Sequence, residues 1–516
     1  KQKKHKKEHI ETISEQCFDV DNVQLVVPSA LKKQRPTLST VDIQETFVFL
    51  RETIKAYRGK CIGKHEMHEL ISRITALSLA KGYSTTRFYI PDQDLSTRVF
   101  KINIIPGYIR RIYTPNNKME RFIRFAFPIS EGELLNVREL EQGLEQIKRL
   151  PSMDVKMQLV PAEEYIGGTD VVLIIDNIKT WSVNASIDNA GVESTGKYVT
   201  RGGVIIDNPL GVADQISLGI NSDTEQDNDV GREGYDIRYS IPWGYWNLSL
   251  GTNNSEFTQL FGMENNLISS GETESFNVKI NHTFFRSIQD KWEWYVKTEK
   301  RSARSFLNDV EILVQRKDTA FAELGLRIKH YFGRSKLDVV IANRWGVNWF
   351  GSQVDEPNLA NDSATFEYRL QTLDVSLNVP FEVLNTSFQY SMSLRSQWTS
   401  SNTYGSEFFS IGSRYSVRGF GEEDTLSGEE GFYWRNTFTA PLRNSGQSVY
   451  LGVDMGQVDG PSTEFLLGDT LIGGFVGVRG GYSKFGYDCF AGWPIKQPKG
   501  FDVSGPNVGA SISFFY

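Results

Sequence analysis

Asn507-Val508-Gly509-Ala510-Ser511-Ile512-Ser513-Phe514-Phe515-Tyr516 closes the sequence as an alternating strand. Val508, Ala510, Ile512, Phe514 and Tyr516 fall on one face, with Asn507, Gly509, Ser511 and Ser513 on the other. A period of two with this polarity describes a sheet that is apolar on one side only. The pattern recurs backward to about residue 180, and nothing helical interrupts it. Trp181, Val183, Ala185 and Ile187 alternate with Ser182, Asn184, Ser186 and Asp188. Phe276, Val278 and Ile280 alternate with Asn277, Lys279 and Asn281, and Trp292, Trp294 and Val296 with Glu293, Tyr295 and Lys297. A soluble sandwich and a membrane barrel both use such strands. Three features favour the barrel. The polar face carries charges and amides, as a wet lumen would. Trp181, Trp243, Trp246, Trp292 and Tyr516 cluster near strand ends, as an interfacial girdle would. The run is also long enough for about sixteen strands, whose closure leaves no unpaired edge in lipid.

Composition agrees. At 516 residues the chain is long enough for two to four domains. Hydrophobic residues make up 39%, but aromatics reach 12% and there are 45 glycines, with a mean hydropathy of −0.35. The longest aliphatic run, Val171-Val172-Leu173-Ile174-Ile175, is far below the roughly 18–20 residues of a spanning helix. This excludes a helical membrane protein but not a barrel, in which only alternate residues meet lipid. A net charge of −7 gives no polyanion-binding signature, so no nucleic-acid partner is expected. The exception is Lys1-Gln2-Lys3-Lys4-His5-Lys6-Lys7, read within residues 1–16 as a solvated start or linker remnant. With no initiator Met or signal peptide at its start, a processed or trimmed chain is expected.

Ahead of the strands stand two small modules of order β-α-α-β-β. In the first, Phe18–Leu25 is expected as a strand, and Val41, Ile43, Phe47, Leu50 and Ile54 stripe a helix over 40–58. A second helix covers 64–81, with Met67, Leu70, Ile74 and Leu77 on one face and Gly82 as its cap. Strands follow at Thr86–Ile90 and Val99–Ile105. The order repeats with a strand at Tyr108–Tyr113, helices at Lys118–Phe125 and Asn136–Leu150, and strands at Val155–Val160 and Asp170–Ile178. Cys17 and Cys61 bracket the first module. A disulfide between them suits an oxidising compartment, with two buried thiols as the alternative, while Cys489 stands alone.

Reaction chemistry is not expected. There is no GxxxxGK[ST] segment, and six histidines assemble no triad. No Cys/His spacing suits zinc. Asp227-Asn228-Asp229 lacks the glycine and terminal glutamate of a calcium loop. Neither a cofactor nor a metal is implied. Glu422-Glu423-Asp424 reads as a solvated loop without basic neighbours, and Glu141, Glu145 and Lys148 as a solvated helix face. The sharper candidate is Val417-Arg418-Gly419-Phe420, in a glycine- and serine-rich loop around 411–431. Inside a barrel, Arg418 would need a carboxylate. Strand Tyr450–Met455 turns Leu451, Val453 and Met455 one way and Gly452 and Asp454 toward the lumen. A guanidinium can hold Asp454 with two parallel bonds, whereas an exposed turn arginine is worth under about 1 kcal/mol.

The ordered motifs resemble the outer-membrane transporters of two-partner secretion systems, within the Omp85 superfamily. They run from Cys17-Phe18, Gly59-Lys60-Cys61-Ile62-Gly63 and Lys81-Gly82-Tyr83-Ser84-Thr85 through Ile90-Pro91-Asp92-Gln93-Asp94-Leu95 to Arg149-Leu150-Pro151-Ser152. Arg201-Gly202-Gly203, Asp207-Asn208-Pro209-Leu210-Gly211, Ile241-Pro242-Trp243-Gly244-Tyr245-Trp246 and the Val417–Phe420 loop follow. Ser96-Thr97-Arg98 and Pro161-Ala162 depart from the family's usual glycine-containing turns. The resemblance implies two periplasmic POTRA modules, set at 17–96 and 97–178, and a transmembrane barrel at 179–516. It also implies that the loop folds back inside, where Arg418 pairs with Asp454, and that Phe514 and Tyr516 form a C-terminal signal for the barrel assembly machinery. The expected partners are that machinery, outer-membrane lipid and a large secreted exoprotein: an adhesin, a haemolysin or a contact-dependent toxin. The exoprotein would be recognised by the POTRA modules through strand addition and exported unfolded without ATP. A barrel-assembly factor is the competing expectation, disfavoured by module number. Residues 1–16 are too few for the family's plug helix plus linker, so the plug is expected to be missing or trimmed.

Overall fold

In the computed structural model the described residues are 17–34, 43, 45–115, 119–176, 179–224, 230–261, 267–360, 362–442, 445–501, 503 and 505–516. The basic segment 1–16 and Asp227-Asn228-Asp229 lie outside them. The chain divides into two compact units. One runs up to Ile123 and adds Phe127–Leu144 and Val155–Ile175; the other joins Arg124–Ala126 and Glu145–Asp154 to Asp176–Tyr516.

The first unit holds two three-stranded sheets with the same wiring. Asn22–Val26 pairs in parallel with Val99–Ile105, which pairs antiparallel with Arg87–Tyr89. Tyr108–Tyr113 likewise pairs in parallel with Gly168–Asp176, which lies beside Asp154–Pro161. The boundary drawn at 96/97 therefore needs correcting. Val99–Ile105 is the central strand of the first sheet, and its parallel pairing to a strand some 75 positions earlier leaves no local signature. The helix Lys64–Ala80 buries Leu70 and Ile74, but Leu77 is exposed. Gly82, at φ +98°, turns the chain out of it. Of the helix expected over 40–58, Ile43, Glu45 and Thr46 are helical, and a 3-10 turn, Val48–Leu50, continues into Arg51–Lys55. Val20, Phe47, Leu50, Ile62, Ile74 and Phe100 make the core between helices and sheet. Cys17 and Cys61 are disulfide-bonded, with Cα atoms 5.3 Å apart. They flank a short ladder of Phe18–Val20 against Lys60–Ile62.

The second unit is a closed barrel of sixteen antiparallel strands, from Trp181–Asp188 to Asn507–Phe515, with the last paired to the first. A two-residue strand, Val310–Glu311, adds to one hairpin. Alternation sorts the side chains. Ile220 is 68% exposed, Leu451 54% and Ile512 56%, whereas Tyr450, Asp454 and Val458 on the opposite face are buried. In a closed sheet the exposed apolar face is the outside. Trp181, Trp243, Trp246, Trp292 and Tyr516 are exposed, and all lie at the end of the barrel where Trp181–Asp188 begins. Cys489 is exposed on the outer face. No helix among the described residues is long and apolar enough to cross a membrane, so any crossing falls to the strands.

Candidate functional site in the barrel lumen

The segment joining Thr386–Thr399 to Glu430–Pro441 lies against the inward faces of the wall. It makes a 3-10 turn, Gly405–Glu407, and a small hairpin of Phe409–Ile411 with Leu426–Gly428. Phe409, Ile411, Val417, Phe420 and Leu426 form an apolar cluster with Val458 and Leu471 of the wall. Val417 and Phe420 are completely buried, so the loop has a core of its own.

Arg418 projects from this core onto the wall. Its Nε lies 2.6 Å from Asp454 Oδ2 and its Nη2 2.8 Å from Asp454 Oδ1. The Arg418 backbone N–H donates to Oδ2 at 3.1 Å, and that of Asn436 to Oδ1 at 3.2 Å. Asp454 thus accepts from four donors while fully shielded from solvent. Arg418 Nη2 also donates to Thr437 Oγ1 at 3.0 Å, and the guanidinium sits 3.5 Å from the centre of the Phe475 ring. That combination of fork geometry and stacking is particular to arginine. Two glycines permit the approach. Gly419 has φ +117°, and a Cβ there would lie 2.6 Å from the Trp493 carbonyl oxygen. A Cβ on Gly473 would overlap the Arg418 carbonyl oxygen.

A second anchor had no local signal in the sequence. Glu407 is buried and accepts from Arg344 Nη1 at 3.2 Å and Arg301 Nη1 at 3.4 Å. Arg344 also reaches Glu323 at 2.8 Å, and the Tyr295 hydroxyl donates to Glu323 at 3.0 Å. Gln397 Nε2 donates to the carbonyls of Glu407 and Glu429, at 2.7 and 3.0 Å. Further round the wall, Arg327 holds Asp338 in a two-bond pair at 2.8 and 2.6 Å.

Two expectations of bare solvation are corrected. Glu422 is half-buried: its Oε1 accepts from the Arg414 backbone N–H at 3.2 Å and lies 3.5 Å from the guanidinium. Glu423 accepts from the Glu193 N–H, and Asp424 from the Gly421 N–H. Glu145 is no solvated helix residue either, since Arg286 and Lys291 hold it at 2.5 and 2.8 Å. Burial would raise its carboxyl, but those two cations bring it down to about 2. Beside it, the Arg149–Ser152 and Asp207–Gly211 motifs meet: the Ser152 N–H donates to Asp207 Oδ2 at 2.9 Å, and Arg149 to the Ala213 carbonyl at 2.6 Å. At the end of the chain, Phe514 lies 5.2 Å from the ring of Phe485, and Tyr516 5.4 Å from that of Trp181.

A tandem of β-α-α-β-β modules followed by a sixteen-stranded barrel with an inward loop defines the class of Omp85-superfamily outer-membrane proteins. Comparison with known proteins narrows it. The model of the haemolysin secretion/activation protein ShlB/FhaC/HecB family matches residues 167–480, and POTRA models match 39–107 (ShlB-type) and 108–161. The outer membrane transporter CdiB-2 of Burkholderia pseudomallei is 37% identical over 507 residues, 96% of this chain and 86% of that protein. The solved CdiB from Acinetobacter baumannii superposes with a TM-score of 0.85 at 27% identity, covering 97% of this chain and 90% of the other. BamA from Haemophilus ducreyi, lacking POTRA domains 1–3, gives 0.50 at 14% identity, covering 97% of this chain and 100% of the other, and shares the fold alone. The chain belongs to the ShlB/FhaC/HecB family, the transporters of two-partner secretion. Its barrel resides in the outer membrane and its POTRA modules in the periplasm.

Proposed function

We propose that the barrel exports one large partner exoprotein as an unfolded chain, and that the lumenal loop is a plug displaced during passage. The observation carrying this is the loop itself: a segment with its own apolar core, held to the wall by Arg418–Asp454 and Glu407–Arg344, and not built into the barrel ladder. Removing one partner of a buried pair strands a charge, at about 3–5 kcal/mol. Displacing the loop instead rehydrates both partners in a wet lumen, so the contact can open at a much smaller cost. The wall suits an extended chain for a related reason. Arg327–Asp338 and Arg344–Glu323 are internally neutral pairs, so these charges do not stand isolated before a passing segment.

Recognition of the exoprotein falls to the POTRA modules, by addition of its extended strand to a sheet edge. CdiB-type and haemolysin-type relatives suggest a contact-dependent toxin or a haemolysin as client. No nucleotide takes part; folding of the exoprotein outside the cell makes export one-way. Phe514 and Tyr516 present the assembly machinery with an aromatic strand end, and the exposed apolar belt contacts lipid. The test is co-expression with the partner exoprotein and measurement of its appearance in the medium. Export is expected to disappear when this chain is deleted; undiminished export would refute the proposal.

A further inference from the structure

The lumenal loop also touches both strands that close the barrel. That seam is short. Asn507–Phe515 makes five register pairs with Trp181–Asp188, extended by mutual backbone bonds of Val183 and Tyr516, against eight with its other neighbour, Phe485–Lys496. Trp181–Asp188 likewise makes eight with Val199–Asp207. Beyond the last seam pair, Asn189 continues the ladder with its side chain. Asn189 Oδ1 accepts from the Ala510 N–H at 2.8 Å, and Asn189 Nδ2 donates to the Val508 carbonyl at 2.7 Å. The Asn189 N–H reaches the Ala510 carbonyl at 3.3 Å. One amide side chain thus stands in for a further stretch of backbone pairing.

That amide is oriented from the loop. Arg414, four residues before Arg418, donates from Nη2 to both the carbonyl and the Oδ1 of Asn189, each at 2.7 Å. Its side chain is 11% exposed, and Glu422 of the same loop lies beside it. A second contact on this side joins Glu423 to the Glu193 N–H at 2.9 Å. On the far side of the seam, Asn507 Nδ2 donates to the Phe420 carbonyl at 2.5 Å. The loop therefore grips the first strand's end through Arg414 and the last strand's start through Phe420.

We infer that the lumenal loop is a clasp across the barrel seam, and that Arg414 and Asn189 are positioning residues which set how firmly the first and last strands stay paired. The consequence for export rests on the plug proposal: a client that displaces the loop also releases the outer end of the seam. The clasp itself can be measured with no client present. Amide hydrogen exchange is followed on the full chain in detergent micelles, for wild type, Arg414→Ala and Asn189→Ala. In both variants the amides of Asn507–Ser511 are expected to exchange roughly tenfold faster, as local opening of a short ladder becomes easier. The amides of Tyr239–Leu250, at the opposite end of the barrel from Asn507–Ser511, should keep their wild-type rates. Unchanged seam exchange in Arg414→Ala would overturn the inference, and so would acceleration spread equally over both regions. Loss of export with unchanged seam exchange would overturn the clasp while sparing the plug.

Discussion

Arg418 and Asp454 show what one side-chain pair can do when both partners are buried. Each single truncation strands a charge or a cluster of donors, so Arg418→Ala and Asp454→Ala should each cut export sharply. The double variant should be no worse than either single one, because the second change removes a group already without its partner. Export levels multiplying across the two changes would show that the residues act separately. Glu139, in the N-terminal unit, gives a different residue-scale expectation. Burial, with the charge of Glu133 nearby, pushes its carboxyl from 4.5 up to about 7. The folded unit then keeps a proton that the unfolded chain has lost, so stability falls as pH rises from about 4.5 to 7. Glu139→Gln should recover about 1 kcal/mol above pH 7, allowing for solvent screening of a partly exposed group, and nothing near pH 4. Calorimetry of the full chain in detergent would read this; a difference independent of pH would count against it. The two lumenal anchors differed in how much the sequence revealed. Val417–Phe420 has a recognisable setting and Asp454 a lumenal register, whereas Glu407 follows an ordinary Gly-Ser pair and meets Arg344 only through the closed sheet.

At the scale of the element, the strands were legible because their period of two survives any change of neighbour. What could not be read was which strands pair. Val99–Ile105 falls in the first module by element order, but only its parallel partner Asn22–Val26 shows that it is the central strand there. The loop's path was hidden for the same reason: glycines along Thr470–Tyr482 and Phe485–Lys496 look like ordinary strand glycines. Gly473 and Gly492 instead form a floor on which the backbone of Arg418 and Gly419 rests. Gly473→Ala should leave the barrel closed but lift the loop, because its new methyl meets main chain that cannot rotate away. Protease sensitivity of the 411–431 segment in intact cells should rise, with heat-modifiable gel mobility of the barrel unchanged. A loop as resistant as wild type would show that the close approach is not required.

At the scale of the whole molecule, two units held together by unlike means share one chain. The barrel is held by continuous ladders, and the N-terminal unit by small cores and one covalent bond. The Cys17–Cys61 bridge spans 44 residues, which in the chain-entropy account is worth about 4 kcal/mol. Reduction should therefore lower only the N-terminal transition in calorimetry, and Cys17→Ser with Cys61→Ser should reproduce that shift. Equal shifts in both transitions would contradict independent units. The seam has a consequence in time as well as in space. Asn189 meets Val508 across 319 positions of sequence, so the contact that closes the barrel is among the most distant the chain makes. Until Asn507–Phe515 arrives, Trp181–Asp188 is an open edge able to pair with any other exposed strand. Closure of this kind is slow, and the unfinished sheet is prone to aggregate while it waits. The same short seam that yields to a displaced loop in the mature barrel is thus the last and most hazardous step in building it.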